Sequence, residues 1–141
     1  MTTRLTDAQR RDRDMTEAGL QGLITEMAAL YGFVFVHFRA GLRANGRWYV
    51  PVEGPLGKGW PDLVLLGVRQ RRLLFVELKR ELEGPSADQA AVLAALGRVA
   101  ETYVWRPSDL DSGRIQAVLS GAVSGEPWPL LEPGERPEVG V

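Results

Sequence analysis

At 141 residues, 45% hydrophobic and 25% charged, the chain has the length and composition of one domain built on one core. Its net charge of −1 gives no global sign of nucleic-acid binding, and the lack of cysteine excludes disulfides, thiolate zinc sites and cysteine nucleophiles. Histidine occurs once, at His37, so a histidine metal cluster or a Ser/His/Asp triad has no spare parts and chemistry must rest on carboxylates, lysine and arginine.

Met1 to Met15 is polar and mixed in charge, without the apolar core of a signal peptide. No later run approaches membrane-spanning length, so no membrane contact is expected, and the lack of cysteine fits the reducing cytoplasm as the expected location. Residues 1–14 hold Arg4, Arg10, Arg11 and Arg13 among three aspartates with no helical or strand period. The plain reading is a solvated or disordered arm, and the functional one is an arm that touches DNA.

From Thr16, as N-cap, the pattern becomes helical, with Leu20, Leu23, Ile24, Met27, Leu30 and Tyr31 at spacings of three and four, until Gly32 ends it. Glu17 lies in the first turn and leans with Gln21 towards the core stripe. An acid there favours the helix dipole whatever else it does. Phe33 to Phe38 is predicted as a central strand, apolar on both faces, with His37 near its end as a packed histidine or a phosphate-facing one.

Residues 39–59 contain the turn Ala44-Asn45-Gly46 and the short strand Trp48-Tyr49-Val50. An ordinary hairpin with a loop explains them. Yet Arg39, Arg43, Arg47 and Lys58 stand here against a single Glu53, interleaved with Trp48 and Tyr49, as a loop that contacts phosphates and bases requires. The tail reverses the balance, with Glu126, Glu132, Glu135 and Glu138 against Arg136, and so hides a basic face in the overall sum.

The chain is organised around residues 59–79. Gly59-Trp60-Pro61-Asp62 leads into Leu63-Val64-Leu65-Leu66, a turn from Gly67 to Arg72 is read as a solvated tip, and Leu73 to Lys79 forms the second strand of a hairpin. Side chains on a strand alternate, so Glu77 and Lys79 point one way while Val76 and Leu78 pack on the other. Asp62, opening the neighbouring strand, projects towards the same end. Two carboxylates and an ammonium therefore converge, offering hard oxygen ligands for Mg²⁺ or Mn²⁺ and a lysine to position a water. A solvent-exposed Glu/Lys pair on an edge strand is the bland alternative.

Ser86-Ala87-Asp88-Gln89 is a capping box, and Gln89, Val92, Leu93 and Leu96 share one stripe of the helix it opens. Thr102 to Trp105 is a short strand stopped at Arg106-Pro107, and one last helix follows from Ser108-Asp109 through Leu119. Arg106 is read as a surface salt bridge, with a phosphate contact as the alternative. There is no internal repeat. The elements define an α/β layout: an arm over 1–15, a domain over 16–122 and a Pro/Gly/Glu-rich tail over 123–141.

Pro61-Asp62 followed one hairpin later by Glu77-Leu78-Lys79 resembles the PD-(D/E)XK nuclease superfamily, and the form Gly59-Trp60-Pro61-Asp62 looks like its VRR-NUC branch. The resemblance covers roughly residues 16 to 120. It implies a restriction-endonuclease-like αβββαβ core, a small mixed sheet flanked by helices, in agreement with the order of elements. It implies metal-dependent hydrolysis of DNA phosphodiesters, with Asp62, Glu77 and the carbonyl of Leu78 as ligands and Glu17 joining directly or through water. Lys79 then holds the attacking water, and Gln89 orients Lys79 or the nucleophile. Branched, flapped or junction DNA is the implied substrate; small members resemble junction resolvases, which implies a homodimer, and the small size of the chain suits a helicase or replication protein as partner. The competing expectations are a non-cleaving binding module of the same fold, a phosphatase for small molecules, and RNA in place of DNA.

Overall fold

The computed structural model describes residues 4–38, 41–42, 44–49 and 52–123. The fold is mixed α/β: a four-stranded sheet with helices against it. Its strands are β1 (Val34–His37), β4 (Leu63–Gly67), β5 (Arg72–Leu78) and β6 (Glu101–Trp105), in the order β1-β4-β5-β6. The first three pair antiparallel, and β6 runs parallel to β5. A parallel pair needs a long crossover, which the helix α3 (Ala87–Leu96) supplies. A separate two-stranded hairpin joins β2 (Gly41–Leu42) to β3 (Trp48–Tyr49), turning at Gly46, whose φ is 81°.

Leu63, Leu65, Leu74, Val76, Leu78, Tyr103 and Trp105 line one sheet face and are buried against two helices, α2 (Glu17–Leu30) and α5 (Arg114–Leu119). Leu20, Ile24, Ala28, Ile115, Val118 and Leu119 supply the helical half of this core. Thr16 caps α2 by accepting from the Gly19 N–H, as its position predicts. Alternation then puts Phe75, Glu77 and Thr102 on the other face, where α3 stands against β6 with Val92, Leu93 and Ala94 buried.

Several expectations are corrected. β1 is an edge strand and not a central one: Val34, Phe35 and Val36 are 60%, 46% and 57% exposed. A short apolar run does not reveal how many neighbours its strand has. The polar stretch before Thr16, expected to lack structure, contains the helix α1 (Asp7–Asp14), closed by a capping box between Thr6 and Gln9. It is tied to the body by Arg11 to Asp111 at 3.0 Å and Arg80 to Asp12 at 2.8 Å.

The last helix is two, α4 (Pro107–Asp111) and α5, divided where Gly113 takes a φ of 78°. Arg72, read as part of a solvated tip, is half-buried; it bonds both Glu101 oxygens and the Val118 carbonyl, and so fastens β5, β6 and α5 together. Hydrogen bonding to Glu101 raises the Arg72 pKa, and although burial pushes the Glu101 carboxyl up, Arg72 and Tyr103 more than offset it and hold it low.

Candidate functional site

The site forms where β4 begins and β5 ends. In the antiparallel register Leu63 faces Val76, so the preceding residue, Asp62, stands across from Glu77. The Phe38 N–H donates to the Asp62 carbonyl at 2.9 Å, and the Leu78 N–H donates to Asp62 Oδ2 at 3.0 Å. Asp62 is thus fixed from both neighbouring strands. Upstream of it, a 3₁₀ turn over Gly57–Gly59 lies on the first turn of α3: a Cβ on Gly59 would come within 2.3 Å of the Asp88 carbonyl oxygen. Trp60 follows, edge-on to Phe38 and Phe75 with ring centroids 6.0 and 5.5 Å away.

Glu77 is the only carboxylate among the described residues with almost no exposure, at 1%. Its Oε1 accepts from Lys79 Nζ at 3.2 Å and from Gln89 Nε2 at 3.0 Å. Its Oε2 is buried without a donor. Burial first, then the charge of Asp62 and a proton shared with it, push the Glu77 carboxyl up to about 8 against the opposing pull of Lys79. The carboxylate pair is therefore short of positive charge, and neither Lys79 nor Gln89 reaches the second Glu77 oxygen.

Gln89 has two tasks at once. Its Oε1 accepts from the Ser86 N–H at 2.9 Å, completing the capping box, while its Nε2 reaches Glu77. The helix terminus thereby holds the amide in the one orientation that donates to the carboxylate.

Glu17, in the first turn of α2, looks on from the rim. Burial raises its pKa, Asp62 and Glu83 add to that rise, and Lys79 and Arg80 oppose it. Glu83 and Arg80 were not among the residues singled out from the sequence, and both belong to the turn that follows Lys79. Nothing local marks them; only the strand end just before them does.

A divalent cation fits the donor set in chemical type. The orphaned Glu77 Oε2 and the opposed Asp62 carboxylate are hard oxygens beside the strand end that carries the Leu78 carbonyl. Among the described residues no group of three His, Cys, Asp or Glu side chains is gathered closely enough to hold a metal ion.

Of the basic residues expected to touch nucleic acid, Arg47 is exposed beside the β2–β3 turn, and Lys58 is exposed on the 3₁₀ turn with its Nζ 3.4 Å from Asp88. Arg39 and Arg43 lie outside the described residues, as do 124–141. His37 closes β1 opposite Leu63, its Nδ1 buried without a partner and its ring 6.1 Å from Phe35. Among the described residues no helix is long and apolar enough to cross a membrane. Compared with known proteins, the chain matches no family, no curated protein and no solved structure.

Proposed function

We propose that this chain is a divalent-metal-dependent phosphodiesterase with a restriction-endonuclease-like core, acting on DNA and preferring branched or flapped forms. The observation that carries the reading is Glu77: a buried carboxyl facing a second carboxylate, Asp62, with one oxygen held by Lys79 and Gln89 and the other reached by no cation or N–H donor. A structural carboxylate at that depth would be expected to have its oxygens satisfied. One left short of a cation is suited to receiving one.

Asp62, Glu77 and the Leu78 carbonyl would hold Mg²⁺ or Mn²⁺, and the bound ion would supply charge to offset that developing on the phosphate. Lys79, at the end of the same strand, keeps its ammonium at the carboxylate pair, where it can orient a water and stabilise an anionic oxygen. Gln89 keeps Glu77 in position through a helix cap that cannot rotate freely. Glu17, its pKa raised at the rim, is placed to hold a proton or a water for the pair. The exposed Arg47 and Lys58 lie along the segment that leads into Asp62, which supports a polyanionic substrate. A homodimer and delivery by a helicase or replication protein belong to the same proposal.

The test is cleavage of end-labelled duplex, single-stranded, flap and four-way-junction DNA with Mg²⁺ or Mn²⁺, comparing the unaltered chain with Glu77→Ala and Lys79→Ala. Metal-dependent cutting that both variants lose supports the reading, and the preferred substrate ranks junction against flap. Hydrolysis of small phosphomonoesters with DNA untouched refutes it in favour of a phosphatase.

A further inference from the structure

The proposed site is acidic for an enzyme that must receive a polyanion. Asp62 acts on both Glu77 and Glu17, Glu83 acts on Glu17 as well, and the one lysine there, Lys79, already holds Glu77 at 3.2 Å. Cations to grip the substrate must therefore come from elsewhere at this end of the sheet.

Two guanidinium groups stand beside Lys79. Arg80 follows it directly, and its Nη2 donates to both the carbonyl and Oδ2 of Asp12 at 2.8 Å, so α1 fixes one corner of the fork. Its Nε is buried with no acceptor, and its charge is felt by Glu17, which puts it at the rim. Arg106 comes from the neighbouring parallel strand. Leu78 is level with Trp105, and the Lys79 N–H donates to the Trp105 carbonyl at 3.0 Å, so the chain brings Arg106 alongside Lys79 in an extended conformation. Its Nε donates to the Glu83 carbonyl at 2.9 Å. Among the described residues it has no ion pair of the kind expected for it.

Each side chain is thus anchored through one nitrogen, Arg106 to a main-chain carbonyl and Arg80 to both the carbonyl and the carboxylate of Asp12, with other donors left over. That is how a guanidinium is pre-organised for an oxyanion: its planar fork matches phosphate, and little rotamer freedom remains to be lost on binding. We propose that Arg80 and Arg106 form a phosphate clamp around Lys79 that seats the backbone phosphates of the substrate strand. The clamp rests on the phosphodiesterase reading above and deepens it. It also gives α1 a purpose: Asp12 does not touch substrate but positions Arg80.

The experiment measures binding of a fluorescently labelled DNA duplex over a series of salt concentrations, with chelator present to prevent cutting. It compares the unaltered chain with Arg80→Ala, Arg106→Ala and the double variant. Each single variant is expected to lower the slope of log affinity against log salt by about one, and the double variant by about two. Steady-state cleavage is expected to show a raised KM with kcat little changed, since ground state and transition state lose the same contact. A merely structural role would lower the melting temperature without moving the salt slope, and Arg106→Ala leaves the α1 tie intact if Arg80→Ala folds poorly. A double variant with the unaltered slope overturns the clamp while leaving the phosphodiesterase reading in place. An unaltered chain that neither binds nor cuts DNA overturns that reading first.

Discussion

Glu77→Gln isolates what the buried carboxyl does to the metal-free protein. Its pKa stands at about 8 in the folded chain against an ordinary 4.5, with Asp62 and Lys79 the charged groups facing it. A carboxyl raised on folding means that the native state binds the extra proton, so stability is full below the unfolded value and falls as pH rises through the window up to about 8. The slope is about 1.4 kcal/mol per pH unit, on the order of 3 kcal/mol lost by pH 7. Glutamine keeps the shape and an acceptor for Gln89 and Lys79 but cannot ionise. Urea unfolding of chelator-treated protein at pH 5, 6, 7 and 8 should therefore show the unaltered chain losing stability steadily, while the variant stays nearly level across that window. Below about pH 8 the protonated glutamate and the glutamine are alike neutral beside Lys79, so the two curves should lie close at pH 5 and part as pH rises. Parallel curves for the two proteins would refute the reasoning.

Mg²⁺ or Mn²⁺ added at pH 7 should raise the melting temperature of the unaltered chain, with proton release visible by comparing calorimetric heats in two buffers, and should leave Glu77→Gln unmoved. Gln89→Glu keeps an acceptor for the Ser86 N–H but sets a second carboxylate against Glu77, so cleavage should drop by roughly 10²-fold while the helix survives by circular dichroism. Glu101→Gln weakens the bonds that fix Arg72 far from the site, at about 1–3 kcal/mol in denaturant titration, with cleavage per folded molecule unchanged. Gly59→Ala forces a Cβ against the Asp88 carbonyl and should cost about 1–3 kcal/mol, lowering activity because the same turn leads into Asp62.

The residues that meet at the site were legible because strand alternation is a rigid rule: Glu77 and Lys79 share a face whatever surrounds them, and Ser86 with Gln89 announces a helix start. The rest depended on partners the sequence does not pair. Val34 to His37 reads as a central strand because apolar residues on both faces look alike whether or not a second neighbour exists. Thr6 and Gln9 carry the same capping signal as Ser86 and Gln89, but with no apolar stripe behind them the helix they open rests on ion pairs to Asp111 and Arg80, contacts about 70 to 100 positions away in the chain. Arg72 looked solvated for the same reason: its partner, Glu101, is on a strand brought alongside only by the α3 crossover.

Glu77 also bears on why the fold tolerates a residue that weakens it. A net stability of about 5–15 kcal/mol is usual for a domain, so a cost on the order of 3 kcal/mol at pH 7 is a large share. Valine or leucine at this position would continue the apolar run of β5 and remove the cost. The surroundings do the opposite of hiding the charge: Asp62 is fixed across from it by main-chain bonds, Gln89 is locked by a helix cap, and Lys79 lies two residues on. Three elements hold polar groups around a carboxylate whose second oxygen they leave open. Backbone bonds that aim carboxylates at one another stabilise the fold only when something positive comes between them, and that condition is what the metal titration measures.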